Sequence, residues 1–520
     1  MYGDGDQAIE VADEALGTVD FRVSCTEASR AAFDQALAYL HHMTYELAQA
    51  GFENIVENDP DCVMAHWGVA TTLFQPLWAI RPGAEVMNRG WRAIQEVKAH
   101  LPASERERNL VAATEAFFRE PDTAEWWTRI RRWGEAMERA YRATPEDADV
   151  ATLYALSRLA LVPVTENRAA LFDEAERVLR GVYEQEPTHP GAVHYTLHAT
   201  DATGRAGHAL DIVRSYSDIA PEVPHAQHMP THLFVRLGEW PEVIEWNRRS
   251  ADAALRRLGG DTVSQHYLHA MDYGLYALLQ QGADERAKAM VEEVLSHTDY
   301  QPSFISAFHL ASMPARYAVE RRQWGEAAAL TPRMPDYLPW DDAPWAEGLT
   351  WLARGLGALH SGKVDAAQEA EDRLIALRDA AAAEDEATFA TYIEMDRLIL
   401  AGWIARTQDR PEEAIQLIGT AAELDSTVEK PTVTPGALLP PYEALGDLLL
   451  DLDRPAEAWE AYQASDVVWP RRYNTLLGAA RAAAAAGKAQ TAGDHYATLL
   501  DIAGGSARPG VIEAQAYLKR

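Results

Sequence analysis

Residues 458–470 read AWEAYQASDVVWP, and their spacing predicts a helical repeat. A small residue, Ala458, is followed four positions later by the bulky Tyr462, and a proline comes eight positions after that. Ala492 and Tyr496 repeat the first two at a step of 34 residues. Small residues let two helices approach closely, and a proline ends a helix. The stretch therefore predicts helix–turn–helix units that stack one after another.

The same signature of small residue, bulky residue and proline occurs at three other places: Ala48, Phe52 and Pro60; Ala175, Leu179 and Pro187; and Ala209, Val213 and Pro221. A 34-residue unit with this signature is typical of the tetratricopeptide repeat (TPR). No run of alternating β-branched residues bounded by turn signals occurs, so a sheet is not expected. We predict an all-α protein, a right-handed α-solenoid of TPR-like helical hairpins with an irregular helical insertion.

The repeat positions divide the 520-residue chain into segments of a single predicted solenoid, 1–520. The segments are N-terminal repeats over 1–75, an irregular helical insertion over 76–130, histidine-bearing repeats over 131–300, degenerate repeats over 301–430, and a C-terminal repeat pair with a cap over 431–520. A proline-rich stretch, 431–441, predicts a loop that leads into the C-terminal pair.

Charge and composition exclude several classes of partner. With 47 basic and 79 acidic side chains the net charge is −32, so a nucleic-acid backbone or an anionic membrane would be repelled. Residues 357–363 fit a phosphate-loop spacing, but Val364 stands where that motif needs Ser or Thr. We predict a hairpin turn there, and no nucleotide cofactor. The sequence specifies no oligomeric state.

The two cysteines, Cys25 and Cys62, have neither a metal-binding spacing nor the number that a disulfide framework needs. The first residues lack the basic and apolar regions of a signal peptide, and no apolar run is long enough to span a bilayer. The sequence therefore predicts a soluble protein with reduced cysteines in the cytoplasm.

Histidines at the repeat step are the main functional signal. His198, His232 and His266 are 34 residues apart, and His194 and His228 keep the same step. Residues at equal positions of neighbouring repeats face the same way, and residues one turn apart share a helix face. In TPR proteins this face of the first helix lines the concave groove, so a row of imidazoles is expected there.

Imidazoles from neighbouring helices can share one metal ion, and imidazole suits zinc, copper and iron alike. We predict that the ligands of such an ion are among six histidines, with His266 and His269 as alternatives to each other: His194, His198, His228, His232, and His266 or His269. Residues predicted to support these ligands or to line the pocket are Asp201, Asp272, Arg236, Tyr195, Tyr267 and His225. An ion with a vacant coordination position would polarise a small-molecule substrate or activate water or O₂, and the sequence leaves open whether the protein is an enzyme.

A non-enzymatic scaffold is the alternative hypothesis. In that case the concave groove would bind an extended peptide or a protein partner, and the histidines would be polar groove residues. A peptide groove more often spreads Lys, Arg and Asn along many repeats, whereas the histidines here lie together in the middle of the chain. The concentration of imidazoles beside Asp201 and Asp272 favours the metal site.

Several longer motifs resemble a known group of proteins. They are Leu16-Gly-Thr-Val-Asp-Phe21, His41-His-Met-Thr-Tyr45, Asp59-Pro-Asp-Cys62, His194-Tyr-Thr-Leu-His198, and His228-Met-Pro-Thr-His232 continued by Arg236-Leu-Gly-Glu-Trp240. Together they resemble large, mostly bacterial TPR-repeat proteins that are named for their fold. The resemblance implies an all-α superhelix with a histidine-bearing middle, and it implies no particular substrate.

Overall fold

The computed structural model describes residues 15–78, 81–100, 104–257, 262–383, 387–428 and 430–519. These residues are helical apart from their turns and loops, and their β-structure is limited to one isolated bridge between Val263 and Tyr300. The all-α prediction is confirmed. The absence of a signal peptide was predicted from residues 1–14, which lie outside the described residues.

The chain divides into two compact units. The described residues of Met1–Asp201 and Gly207–Pro230 form unit 1, and those of Ala202–Ala206 and Thr231–Arg520 form unit 2. The helices up to the end of unit 1 are α1 Glu27–His41, α2 Tyr45–Asn58, α3 Val63–Thr72, α4 Ala84–His100, α5 Glu105–Phe118, α6 Trp126–Ala143, α7 Ala148–Leu161, α8 Arg168–Gln185, α9 Pro190–Thr200, α10 Leu210–Arg214, α11 Tyr216–Ile219 and α12 Pro224–His228.

The remaining helices are α13 Pro230–Leu237, α14 Trp240–Arg257, α15 Gln265–Gln280, α16 Asp284–Leu295, α17 Phe304–Glu320, α18 Trp324–Ala328, α19 Pro344–His360, α20 Val364–Ala383, α21 Ala387–Thr407, α22 Pro411–Asp425, α23 Pro441–Asp451, α24 Pro455–Val468, α25 Tyr473–Ala485, α26 Ala489–Ala503 and α27 Pro509–Leu518. Short 3₁₀ turns occur at Val162–Val164 and Trp340–Asp342. Residues 357–363, which fit a phosphate-loop spacing, form the end of α19 and the turn before α20, as predicted.

Close helix approach explains the small and bulky residues of the repeat signature. Tyr462 on α24 is buried between α23 and α25, where a Cβ added at Gly446 or Gly478 would clash with its ring. Phe52 on α2 packs in the same way against Gly68 on α3. In these two hairpins the bulky residue therefore fills the space that a glycine leaves on the neighbouring helix.

One predicted repeat is broken. The signature that begins at Ala209 falls on α10 and α11, which are only five and four residues long. The next helix, α13, begins at Pro230, since proline is tolerated in the first turn of a helix and not inside one. His228 therefore lies on α12, a different helix from the one that carries His232.

The proline-rich loop of unit 2 is buried among the helices of that unit. The proline-rich loop between α22 and α23 places Thr434 and Gly436 in the interior, where both are buried. The Tyr273 hydroxyl donates to the carbonyl of Thr434 at 3.1 Å, and Arg316 Nη1 donates to the carbonyl of Gly436 at 3.2 Å. The predicted loop is confirmed, and its packing inside the unit was not foreseen.

The expectation of reduced cysteines is wrong. Cys25 and Cys62 form a disulfide with their Cα atoms 4.6 Å apart. The two cysteines are 37 positions apart in the sequence, and the α1–α2 hairpin between them brings them together. Disulfides persist mainly in oxidising compartments, so a cytoplasmic location stays a prediction. No helix in the described part of the chain is both long and apolar enough to cross a membrane.

A buried carboxyl group in unit 2 makes stability depend on pH. Asp396 on α21 lies in the interior, and burial raises its pKa to about 8. Between pH 5 and 7 the folded protein keeps this proton and the unfolded chain releases it. The free energy of unfolding therefore falls by about 1.4 kcal/mol per pH unit from this group.

We expect Asp396→Asn to remove this dependence, so that the melting temperature changes less between pH 5.5 and 7.5 than in wild type. Differential scanning fluorimetry at both pH values measures it. Asp372→Asn, an exposed substitution on the neighbouring helix α20, serves as the control and should retain the wild-type dependence. Equal pH dependence in wild type and Asp396→Asn would contradict the prediction.

Candidate metal centre

Three imidazoles converge in unit 1. His194 and His198 lie one turn apart on α9, and His225 lies on α12. The ring centroids of His194 and His198 are 4.9 Å apart, and those of His194 and His225 are 5.0 Å apart. One nitrogen of each ring lies within 4.8 Å of the other two. We call these three residues the α9–α12 cluster.

The ring separations fit shared coordination of one ion. When two imidazoles bind a metal at about 2.0–2.1 Å and at a tetrahedral angle, their ring centroids lie about 5 Å apart. Both measured separations agree with this value. His194 is buried and His198 and His225 are half-buried, but the Nε2 atoms of all three rings are shielded from solvent. The half-buried parts of His198 and His225 mark the edge of the cluster that lies nearest the surface.

The tautomer of His194 suits a metal ligand. Its Nδ1 lies 2.6 Å from the carbonyl oxygen of His41 and must donate to it, so the lone pair lies on Nε2. That Nε2 is buried and has no hydrogen-bond partner among the described residues. Burial, together with the nearby charge of His198, lowers the pKa of His194 well below its usual value, so the ring is neutral. A neutral ring with a buried lone pair is the form in which histidine binds a metal.

A buried hydrogen-bond network holds the carbonyl that orients His194. His41 Nε2 and His189 Nε2 both donate to Asp149 Oδ1, at 3.0 and 3.2 Å. The Tyr195 hydroxyl is 3.2 Å from His41 Nδ1, which accepts from it. Burial alone would raise the pKa of Asp149, but the hydrogen bonds from His189 and His41 lower it well below its usual range.

The network is complete without an ion. His189 Nδ1 accepts from the backbone N–H of Ala192 and so caps α9, while its Nε2 donates to Asp149. His41, His189 and Asp149 have a spacing that a metal could use. Since each ring N–H already has a carboxylate partner, we interpret the trio as the support of the α9–α12 cluster. A hydrogen bond from the second ring nitrogen to a carbonyl or carboxylate is the usual support of a metal-binding histidine.

Aromatic rings surround the cluster. The Tyr216 ring centroid lies 5.6 Å from that of His194, and the Trp78 ring centroid lies 6.3 Å from that of His225. The Tyr216 hydroxyl is 2.9 Å from Nδ1 of His42, whose Nε2 is 3.0 Å from the carbonyl of Leu16. These contacts fix the rings that border the site.

The six predicted ligands are distributed over both units. His194 and His198 belong to the α9–α12 cluster, and His225, predicted only as a pocket residue, supplies its third ring. His228 is also in unit 1, buried at the end of α12. His232, on α13, and His269, on α15, belong to unit 2.

His266 stands at the second position of α15 and is half-buried. Its ring is not among the nitrogens that converge in the described parts of the two units.

The predicted supporting residues have specific positions. Tyr195 bonds to His41 as described, and Asp201 caps the end of α9. The Tyr267 hydroxyl donates to Glu293 on α16, and Arg236 Nη1 donates to Thr203 at 3.5 Å.

Asp272 is fully buried in unit 2 and accepts hydrogen bonds from His309 and Ser312. Burial would raise its pKa, but the charge of Arg316 and the bond from His309 lower it to about 2.

Sequence reasoning missed Asp149, His189 and His309. Asp149 and His309 stand outside the 34-residue step of the histidine row, and nothing in their local sequence marks them. His189 carried a weak signal, since His-Pro-Gly at 189–191 has the proline expected in the first turn of a helix.

Comparison with known proteins assigns neither a family nor an activity. No known family profile matches the chain, and no curated protein matches it. Among solved structures, the chain is similar to one described as the crystal structure of the APC/C hetero-tetramer Cut9–Hcn1, with 13% sequence identity, a TM-score of 0.28 and 95% coverage of each chain. A likeness at this level carries no argument about activity or partner. The TPR-like assignment rests on the helical hairpins themselves.

Proposed function

We propose that unit 1 binds one transition-metal ion through His194, His198 and His225. The observation that carries the proposal is the convergence of three ring nitrogens, one of which is a buried lone pair fixed by the His41 carbonyl. Three imidazoles are the protein ligands of one class of catalytic zinc site, and copper and iron accept the same ligands.

Within this proposal the protein is a metal-dependent enzyme that acts on a small molecule. Such an ion would supply Lewis acidity toward water or a substrate oxygen. The chain's own contribution is to orient the three rings: His41 fixes the tautomer of His194, and Asp149 fixes His41. We place the substrate at the edge of the cluster where His198 and His225 are half-buried and where the Trp78 ring lies beside His225.

A peptide-binding scaffold is less well supported. A peptide groove would spread its contacts along many repeats, whereas the imidazoles of the α9–α12 cluster lie within a few ångströms of one another. A scaffold function would apply if the protein proved to bind no metal.

Metal analysis of the purified full chain tests the proposal. We expect His198→Ala and His225→Ala each to carry one metal equivalent fewer than wild type by plasma mass spectrometry. His100→Ala is the control, because His100 is exposed at the end of α4. Equal metal content in wild type and in both cluster variants would overturn the proposal.

A chelator should also lower the stability of wild type. An ion that binds only the folded form adds about 2.7 kcal/mol when it is present at one hundred times its Kd. Removing it should lower the melting temperature by roughly 5–10 °C. His198→Ala already lacks this ion, so chelator should lower its melting temperature by clearly less than it lowers that of wild type.

A further inference from the structure

A second group of imidazoles lies in unit 2, on helices α13, α15 and α17. The ring centroids of His232 and His269 are 6.1 Å apart, and those of His269 and His309 are 4.9 Å apart. One ring nitrogen of His232 and one of His269 lie within 4.8 Å of each other. His232 and His309 are buried, and His269 is half-buried.

A chain of hydrogen bonds assigns the proton positions of two of these rings. His309 Nδ1 lies 3.0 Å from the Asp272 carboxylate and donates to it, so the lone pair of His309 is on Nε2. That Nε2 is 2.9 Å from Nδ1 of His269, which must therefore carry the donated hydrogen. The lone pair of His269 is consequently on its Nε2. A carboxylate that accepts a hydrogen bond from a histidine makes that histidine a better acceptor, and this strengthens the ligand next to it. Here the carboxylate is Asp272 and the ligand is His269.

Asp272, at the far end of this series of hydrogen bonds, is held in place by further hydrogen bonds. Arg316 Nε donates to Asp272 Oδ1 at 3.1 Å, and the Ser312 hydroxyl donates to Oδ2 at 2.7 Å. Arg316 also donates to the Thr434 hydroxyl and to the carbonyl of Gly436. All of these side chains are buried, so the orientation of His309 is fixed on every side.

We propose that His232 and His269 form a second metal-binding position, which takes Zn²⁺ or an ion of similar preference for imidazole. His309 and Asp272 are positioning residues, because they act on the ion only through His269. Two protein ligands leave further coordination positions of the ion open, as in a site that takes water or an external ligand. This second position does not depend on the α9–α12 cluster, since its ligands belong to other helices of the other unit.

The experiment counts Zn²⁺ bound to the full chain. Chelator-treated protein is titrated with Zn²⁺ by isothermal calorimetry, and the bound metal is checked by mass spectrometry after gel filtration. We expect two equivalents in wild type, one in His269→Ala, one in His198→Ala and none in the double variant. His360→Ala is the control, because His360 is an exposed residue at the end of α19 that stacks on Trp324.

A conservative variant tests the positioning role. Asp272→Asn should keep two equivalents, with the affinity of the second position lowered about 10–100-fold and that of the first unchanged. Because Asp272 also pairs with Arg316, the variant is first compared with wild type by circular dichroism in chelator. If Asp272→Asn does not fold, His309→Gln is used instead, and we expect the same loss of affinity at the second position.

The possible outcomes separate the two proposals. One equivalent in wild type that is lost in His198→Ala and kept in His269→Ala would overturn the second position and leave the first intact. One equivalent lost only in His269→Ala would do the reverse. No bound Zn²⁺ in wild type would overturn the second position, and the metal content of the protein as purified would then decide the first.

Discussion

Replacing Arg472 with methionine is expected to lower the melting temperature of unit 2 by roughly 6–20 °C, for a loss of about 3–5 kcal/mol. Arg472 is fully buried and makes ion pairs with Glu320 at 2.6 Å and with Glu443 at 3.0 Å. Its Nη1 donates to the Tyr276 hydroxyl at 3.0 Å. The substitution would leave two carboxylates in the interior without their main counter-charge.

The position of Arg472 explains why the effect is large. It stands at the start of α25, while Tyr276, Glu320 and Glu443 lie on α15, α17 and α23. Burial opposes the charge of Arg472, but the charges of Glu320 and Glu443 raise its pKa well above its usual value. The Arg472 side chain thus links four helices, and its removal breaks the contacts between all of them.

Differential scanning fluorimetry would measure the change. Arg454→Met is the matched control, because Arg454 makes its ion pair with Glu457 at the surface, where such pairs contribute about 0–1 kcal/mol. Adding Glu320→Gln and Glu443→Gln to Arg472→Met should recover part of the loss. A melting temperature within about 2 °C of wild type for Arg472→Met would show that the pairs do not hold these helices together.

Replacing Asp149 with alanine is expected to affect both stability and metal binding in unit 1. The substitution removes the acceptor of two buried N–H groups, those of His41 and His189. A buried donor without a partner costs about 1–3 kcal/mol, so the expected loss is about 2–6 kcal/mol. Because His41 supplies the carbonyl that orients His194, metal affinity should also fall, by about 10–100-fold.

The conservative variant separates the two effects. Asp149→Asn keeps an acceptor oxygen, so we expect it to retain more stability and more metal affinity than the alanine variant. Asp61→Ala, an exposed substitution in the same unit, should match wild type in both measurements. Thermal melting in chelator gives the stability, and Zn²⁺ titration gives the affinity. Unchanged affinity in Asp149→Ala would mean that the network only stabilises the fold.

The buried polar residues next to the α9–α12 cluster are explained if their role is to hold its rings in position. Asp149, His41 and His189 are expensive to bury unless they bond to one another, and they do so completely. A fully bonded network of this kind is rigid. A rigid network would favour metal binding at the proposed site, because the rings of the α9–α12 cluster are then already oriented before the ion binds.

The sequence by itself determined the helical class and the region of the site. The step of 34 residues reports a local property, the length of a helical hairpin, and the small and bulky residues of α24 and α26 pack as that spacing requires. The same step singled out His194 and His198, which both lie on α9. Periodicity predicts which residues share a face, because that depends only on helix geometry.

Only the tertiary structure decided which residues meet. His225 joins His194 because the repeat between them breaks into α10, α11 and α12, and no spacing rule covers a broken repeat. Asp149 and Asp272 reach their histidines across separations of 108 and 37 residues. The Cys25–Cys62 disulfide likewise depends on how α1 and α2 fold back. Contacts between distant residues depend on how helices pack in three dimensions, and a sequence period carries no information about that.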